Sequence, residues 1–372
     1  AGMVGAKNVL SVLMQCLAIT ALMTVLWFFY GYSIAFGGEG AFWGGFDKLL
    51  LRGVTVDAVS GTIPESVFLT FQMTFAIITP ALIVGAFADR MKVSALLWVM
   101  GLWLTLVYAP ITHWVWGDGG WLGDLGILDF AGGTVVHINA GLAALAAAII
   151  IGKRIGFGDQ AMPPHNVPMV VHGKGLLGFG SVGFNAVSSL AADGTAVNAF
   201  VVTNVATAAA MVSWVIMAWL FDGKPSVVGA ATGAVAGLVA ITPAAGFVGA
   251  MPALLIGVGA GVICYGAVKL LLNLKVDDAL AVWGVHGIGG TWGALATGLF
   301  VGLGFAALGD GVSRGEQILY QLIAIGVSWA WAFVVTSVIL LALKYTIGLR
   351  AGREDEESGL DVSQHDEPAY IA

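Results

Sequence analysis

The chain has 372 residues, of which 15 are Lys or Arg and 22 are Asp or Glu, so that 10 % carry charge where a soluble globular domain carries roughly 25 %. Hydrophobic residues make up 59 % and the mean hydropathy is +0.93. That excludes a soluble fold, which needs charge to cover its surface, and a disordered chain; the 54 glycines follow no collagen-like period, and an integral membrane protein of several spans remains.

Ten stretches are apolar over about the 20 residues that one bilayer crossing needs: 9–36, 65–88, 93–112, 130–151, 169–186, 196–221, 227–243, 251–271, 283–307 and 316–345. Their wealth of Gly and Ala suits close helix packing, which predicts an all-α, polytopic helical bundle rather than a barrel. The first stretch is too long for a signal-peptide core, and no small-residue cleavage site follows it. The connection 37–64 is the longest and holds Glu39, Asp47, Lys48, Arg52 and Asp57. The second stretch carries Phe71 and Phe75, four apart and therefore on one helix face. Trp116 falls in the loop just beyond the third stretch. Asp129 precedes the fourth, and His137 lies inside it. The fifth ends on Gly183-Phe184-Asn185, with Ser188 following. Short breaker-rich connections such as Asp222-Gly223-Lys224-Pro225-Ser226 separate the next three. Asp278 precedes the ninth, which contains His286.

From Ala351 onward, seven acids (Glu354, Asp355, Glu356, Glu357, Asp361, Asp366, Glu367) against the single base Arg353 leave −6 of the chain's net charge of −7. The sequence therefore divides into a transmembrane domain, 1–350, and an acidic tail, 351–372. The nearly neutral body has no basic face for nucleic acid. Cys16 and Cys264 are the only cysteines, both in apolar stretches, which argues against a disulfide framework or a Cys metal site. Of the cationic residues near span ends, Lys48, Arg52 and Arg314 fall on one side and the other twelve on the opposite side. That bias predicts a multi-pass protein with both termini cytoplasmic and the loops at 37–64, 113–129 and 187–195 outside.

His137 and His286 stand out, because an ionisable residue deep in a span is costly and marks function by default. Asp129 lies eight residues before His137, and Asp278 eight before His286; each histidine follows a Val and precedes a Gly by four (Gly141, Gly290). The offset is 149 residues. The two copies lie five spans apart, an odd number, so they run in opposite directions, which is the mark of an inverted repeat with its function near the midplane. Eight helical residues rise about 12 Å, which predicts that each histidine sits near mid-membrane. A structural reading competes: each His could hydrogen-bond to a neighbouring helix, and each Asp could serve as an N-cap. A metal site lacks a third ligand at helical spacing. Two buried neutral imidazoles attract no strong ion but can pass a proton. Trp116, Phe71, Phe75 and Phe184, close to the Ser188 hydroxyl, could cage a small cation, against the ordinary reading of belt and packing aromatics.

The run Asp129-Phe130-Ala131-Gly132-Gly133-Thr134-Val135-Val136-His137-Ile138-Asn139, continuing to Gly152-Lys153-Arg154, resembles the signature of the ammonium transporter family (Amt/Mep/Rh). So do Phe71-Gln72-Met73-Thr74-Phe75, Gly183-Phe184-Asn185-Ala186, Asp277-Asp278, Gly284-Val285-His286-Gly287 and Gly359-Leu360-Asp361. The resemblance implies a bacterial-type homotrimer in the inner (plasma) membrane with one pore per subunit and no cofactor. It implies an outer recruitment site at Trp116, Phe75 and Ser188, with Phe71 nearby and Asp129 in support. It further implies a pore gate of stacked Phe75 and Phe184, and paired pore histidines, His137 and His286. The tail resembles a cytoplasmic segment that couples subunits and docks a PII-type signalling protein. Bacterial members usually have 11 spans, and Ala1–Asn8 resembles the turn after their first, so the first helix is expected to be missing here. Ser181 stands where a pore Trp is expected, and Asp366 where Gly is common.

The expected activity is recruitment of ammonium, its deprotonation, and conduction of ammonia past the histidines, with the proton able to travel separately. A sensor signalling through its tail and a neutral gas channel are the alternatives; the two histidines argue against the first and the aromatic cage against the second. No nucleophile–base constellation or phosphate loop points to an enzyme.

Overall fold

The computed structural model of the chain describes residues 1–370. Its spans in chain order begin with α1 (Ala6–Phe36) and α2 (Glu65–Phe87). Helix α3 runs from Val93–Trp103 through a π-helical turn, Leu104–Tyr108, into Ala109–Trp116. Then come α4 (Gly133–Ile151), α5 (Val167–Val187), α6 (Gly194–Asp222), α7 (Val227–Ile241) and α8 (Ala250–Asn273). The π-helical turn Trp283–Gly287 continued by Ile288–Phe300 forms α9, and Arg314–Thr346 forms α10. Two short helices follow in the tail, α11 (Arg353–Ser358) and α12 (Leu360–His365).

Local chemistry starts several of these helices. The side chains of Asn166, Asp193, Ser226 and Ser313 accept backbone N–H groups at the first turns of α5, α6, α7 and α10, satisfying donors that a helix start leaves free. All ten predicted stretches are helical, and seven of the helices are long and apolar enough to cross a membrane by those two measures. Of the other three, α7 has 15 residues, α9 ends at Phe300 instead of running to 307, and α5 carries His172, Lys174 and five glycines. Trp116 is the last residue of α3 and not a loop residue; extended backbone at Gly117 ends the helix there.

Two buried apolar clusters divide the molecule. One joins α1 to α4 with α10, and the other joins α6, α7, α8 and part of α9. The helices α4 and α9 meet between them. A Cβ on Gly141 would lie 2.1 Å from the Gly287 nitrogen, and one on Gly290 would lie 3.0 Å from both the Gly133 oxygen and the His137 Cβ. Contact therefore advances along α4 as it recedes along α9, so the two copies of the repeat cross antiparallel, backbone on backbone, at glycines four residues beyond each histidine. Small residues permit this approach.

The end of the bundle that holds the chain termini is tied by ions. Arg154 donates to Asp277 from its backbone nitrogen (2.7 Å) and from Nη2 (2.7 Å), and the fully buried Arg90 donates to the Asp277 carbonyl at 2.6 Å. The tail is seated against this end. Arg350 Nη2 meets Glu356 at 2.7 Å, Lys7 donates to the Glu356 carbonyl at 2.8 Å, and the Asp361 carboxylate accepts the Ser11 N–H at 2.8 Å. The tail's last two positions, 371–372, lie outside the described residues.

Candidate functional site

Asp129 organises the end of the bundle opposite the termini. Its Oδ1 accepts the N–H groups of Gly132 (2.8 Å) and Gly133 (2.6 Å), and its Oδ2 those of Thr134 (2.8 Å) and Val135 (3.3 Å) together with the Thr134 hydroxyl. Every acceptor site on the carboxylate is thus used in starting α4. Its backbone carbonyl accepts the Trp116 indole N–H at 2.8 Å, which holds the indole in place. Asp129 therefore supports its surroundings through hydrogen bonds and has no oxygen left for a ligand. Residues 129–132 precede the helix, so the spacing of eight to His137 is not a continuous helical rise. Asp278 repeats one part of the design: its Oδ2 accepts the N–H of the residue five positions on, Trp283, at 2.7 Å, as Asp129 Oδ2 does for Thr134. Burial pushes the Asp278 carboxyl up to about 6, against the pull of the Trp283 and Val282 backbone amides.

An aromatic column leads from Trp116 to the histidines. Ring centroids separate Trp116 from Phe75 by 5.6 Å, Phe71 from Phe75 by 4.8 Å, and Phe75 from Phe184 by 4.2 Å. Phe75 and Phe184 lie ring against ring, tilted at 46°. Phe184 in turn stacks on His137 at 6.0 Å and 25°. The imidazoles of His137 and His286 face each other with 3.2 Å between their Nδ1 atoms, and both rings are buried. At that distance one Nδ1 donates and the other accepts. A π-helical turn at each histidine, Gly133–Ile138 and Trp283–Gly287, swells the helix locally; such turns recur at functional sites.

The predicted residues are not all joined. The Ser188 hydroxyl donates to the Phe184 carbonyl at 2.9 Å, and among the described residues no hydrogen bond links it to Trp116. A cavity of about 370 Å³ opens beside the histidines, walled by Phe71 and Ile78 of α2, by Gly180, Ser181 and Phe184 of α5, and by Thr242. The small Ser181 side chain forms part of that wall. A second cavity of about 190 Å³ touches His286 from the terminus-bearing end and includes Thr232 and Lys174. Thr242 escaped the sequence reading. It lies 105 residues from His137, and nothing local distinguishes it from other threonines in spans, yet its hydroxyl sits 3.2 Å from His137 Nε2.

The family model described as Ammonium Transporter Family matches residues 1–370. An ammonium transporter of Bacillus subtilis (strain 168) is 46 % identical over 99 % of this chain and 92 % of its own length. The crystal structure of Candida albicans Mep2 superposes with a TM-score of 0.85 at 36 % identity, covering 91 % of this chain and 78 % of that one. A solved structure named Sensor Amt Protein reaches a TM-score of 0.91 at 31 % identity, covering 98 % and 92 %.

Proposed function

The chain belongs to the ammonium transporter family, whose members are multi-pass membrane transporters and not enzymes, and on that premise we propose that it recruits ammonium at an aromatic mouth and conducts it as ammonia past His137 and His286. The observation that carries this reading is the unbroken series of rings from Trp116 through Phe75 and Phe184 to an Nδ1–Nδ1 contact of 3.2 Å. Removing a small cation from water costs on the order of 20 kcal/mol in the idealised Born limit and several kcal/mol after relaxation. A cation–π contact returns about 0.5–2 kcal/mol. Trp116 and Phe75 can therefore attract ammonium, with Phe71 and Ser188 beside them, but cannot carry it through an apolar passage. Ammonium gives up its proton beyond the Phe75–Phe184 pair to the free imidazole lone pair of the histidine pair, and ammonia, which needs no such desolvation, continues along the imidazoles. The proton can follow separately through the histidine pair. Potassium has no proton to give up and is refused on chemistry, not size.

In this reading residues 1–350 form the transmembrane domain and 351–372 a cytoplasmic tail. The mouth with Trp116 faces outward, both ends of the chain face the cytoplasm of the inner membrane, and three copies assemble in the bilayer. The seated tail offers the surface for a PII-type partner. A sensor without transport would have no need of paired histidines, so that alternative is not favoured. The test is to replace His137 and His286 singly by Ala in proteoliposomes and record currents after ammonium and potassium pulses. Loss of ammonium current or of potassium rejection supports the relay; both unchanged in both variants would end it.

A further inference from the structure

We propose that Thr242 is a positioning residue that sets the direction of the hydrogen bond between the two histidines; the proposal rests on the reading of that pair as a proton relay. Two neutral imidazoles related by an inverted repeat and joined Nδ1 to Nδ1 have two equivalent arrangements, in which either ring is the donor. Something outside the pair must choose between them.

The choice follows from where the Thr242 proton is committed. At the end of α7 the Thr242 backbone N–H turns to the Val239 carbonyl at 3.2 Å. Residue 243 is Pro, which has no N–H to offer. The Leu238 carbonyl thereby loses the amide that a continuing helix would supply, and the Thr242 hydroxyl donates to it instead at 2.8 Å, the usual back-bond of a helical threonine. Toward His137 Nε2, at 3.2 Å, the hydroxyl oxygen is left as an acceptor. His137 must then carry its proton on Nε2, which leaves its Nδ1 as a bare acceptor. His286 donates through Nδ1–H across the 3.2 Å contact, and its own Nε2 is left with a free lone pair.

The second half of the repeat supplies no matching hydroxyl: among the described residues His286 has no hydrogen-bond partner other than His137. His286 borders both the cavity shared with His137 and the one nearer the chain termini. The pair thus has a polarity, with a donor fixed on the Thr242 side and an acceptor presented on the other. One neutral hydrogen bond biases the two arrangements by a population ratio on the order of tenfold.

The experiment uses the full chain in lipid vesicles, labelled with nitrogen-15 at histidine and read by solid-state NMR, beside the isosteric Thr242→Val and the hydroxyl-retaining Thr242→Ser. The expected spectrum of the unaltered chain has His137 protonated at Nε2 and His286 at Nδ1. Thr242→Val should populate both arrangements and change the ammonium current severalfold, and Thr242→Ser should restore both readouts. A proton on His137 Nδ1 in the unaltered chain, or an unchanged spectrum in Thr242→Val, would overturn the proposal. A shifted spectrum with an unaltered current upholds the positioning role and removes the relay reading instead.

Discussion

At the end of the bundle opposite the termini, Asp129 takes five donors on its two oxygens; its counterpart Asp278 takes the Trp283 amide on one oxygen and leaves the buried Oδ1 without a partner. The neighbours differ as much. Beside Asp129 are rings, with Trp116 held by the Asp129 carbonyl. Beside Asp278 are Asp277, Arg90 and Arg154, with the tail seated over the same end of the bundle. One repeated motif therefore serves two ends of unlike character: an aromatic end whose helix start is fully satisfied, and an ion-paired end where one oxygen of a buried carboxyl lacks a partner. An inverted repeat preserves backbone geometry but leaves each end free to acquire its own chemistry.

The largest expected effect tests the crossing that both ends share. A Cβ at Gly141 meets the Gly287 nitrogen at 2.1 Å, but one at Gly290 meets its neighbours at 3.0 Å. Gly141→Ala should abolish the folded, transporting protein. Gly290→Ala should leave it assembled with reduced stability, as read by detergent melting and by ammonium currents; equal tolerance at both positions would break the comparison.

Next in size is the loss of a satisfied carboxylate. Asp129→Ala orphans several buried donors at about 1–3 kcal/mol each, so a loss of about 3 kcal/mol or more is expected in denaturation, although the backbone carbonyl that accepts the Trp116 indole N–H is retained. Asp278→Asn keeps an oxygen for the Trp283 amide, and its effect depends on pH. The Asp278 carboxyl stands near 6 instead of the ordinary 3.8, so the folded chain holds this proton more tightly than the unfolded one. The stabilisation is complete below about pH 4 and is lost as pH rises through about 6. The melting temperature of the unaltered chain should therefore fall relative to Asp278→Asn across that window, and parallel curves would refute it. The smallest effect is at the mouth. Trp116→Leu should weaken apparent ammonium affinity by about 0.5–2 kcal/mol in concentration-dependent currents, with stability little changed.

Much of this was legible along the chain because hydrophobicity over about 20 residues is a local property. It located all ten helices, and the spacing of Asp129 to His137 and of Asp278 to His286 disclosed the repeat. Boundaries were harder. The third helix runs on through a π-helical turn to Trp116, and the ninth stops at Phe300 although the apolar residues continue. Helix ends are set by backbone turns and by partners elsewhere, not by hydropathy alone. The family resemblance grouped Ser188 with Trp116 and Phe75, and the pattern gave no sign that the Ser188 hydroxyl donates to the Phe184 carbonyl at the end of α5.

What the residues alone determined is a greasy, multiply spanning, helical chain with two costly histidines in mirrored settings, since the expense of burying a polar group in lipid holds whatever surrounds it. Only the tertiary structure decided that those rings meet edge to edge, that Phe184 lies against one of them, and that a threonine 105 positions away completes the set. Those contacts depend on two helices crossing within backbone distance at Gly141, a relation between remote segments that no local pattern encodes.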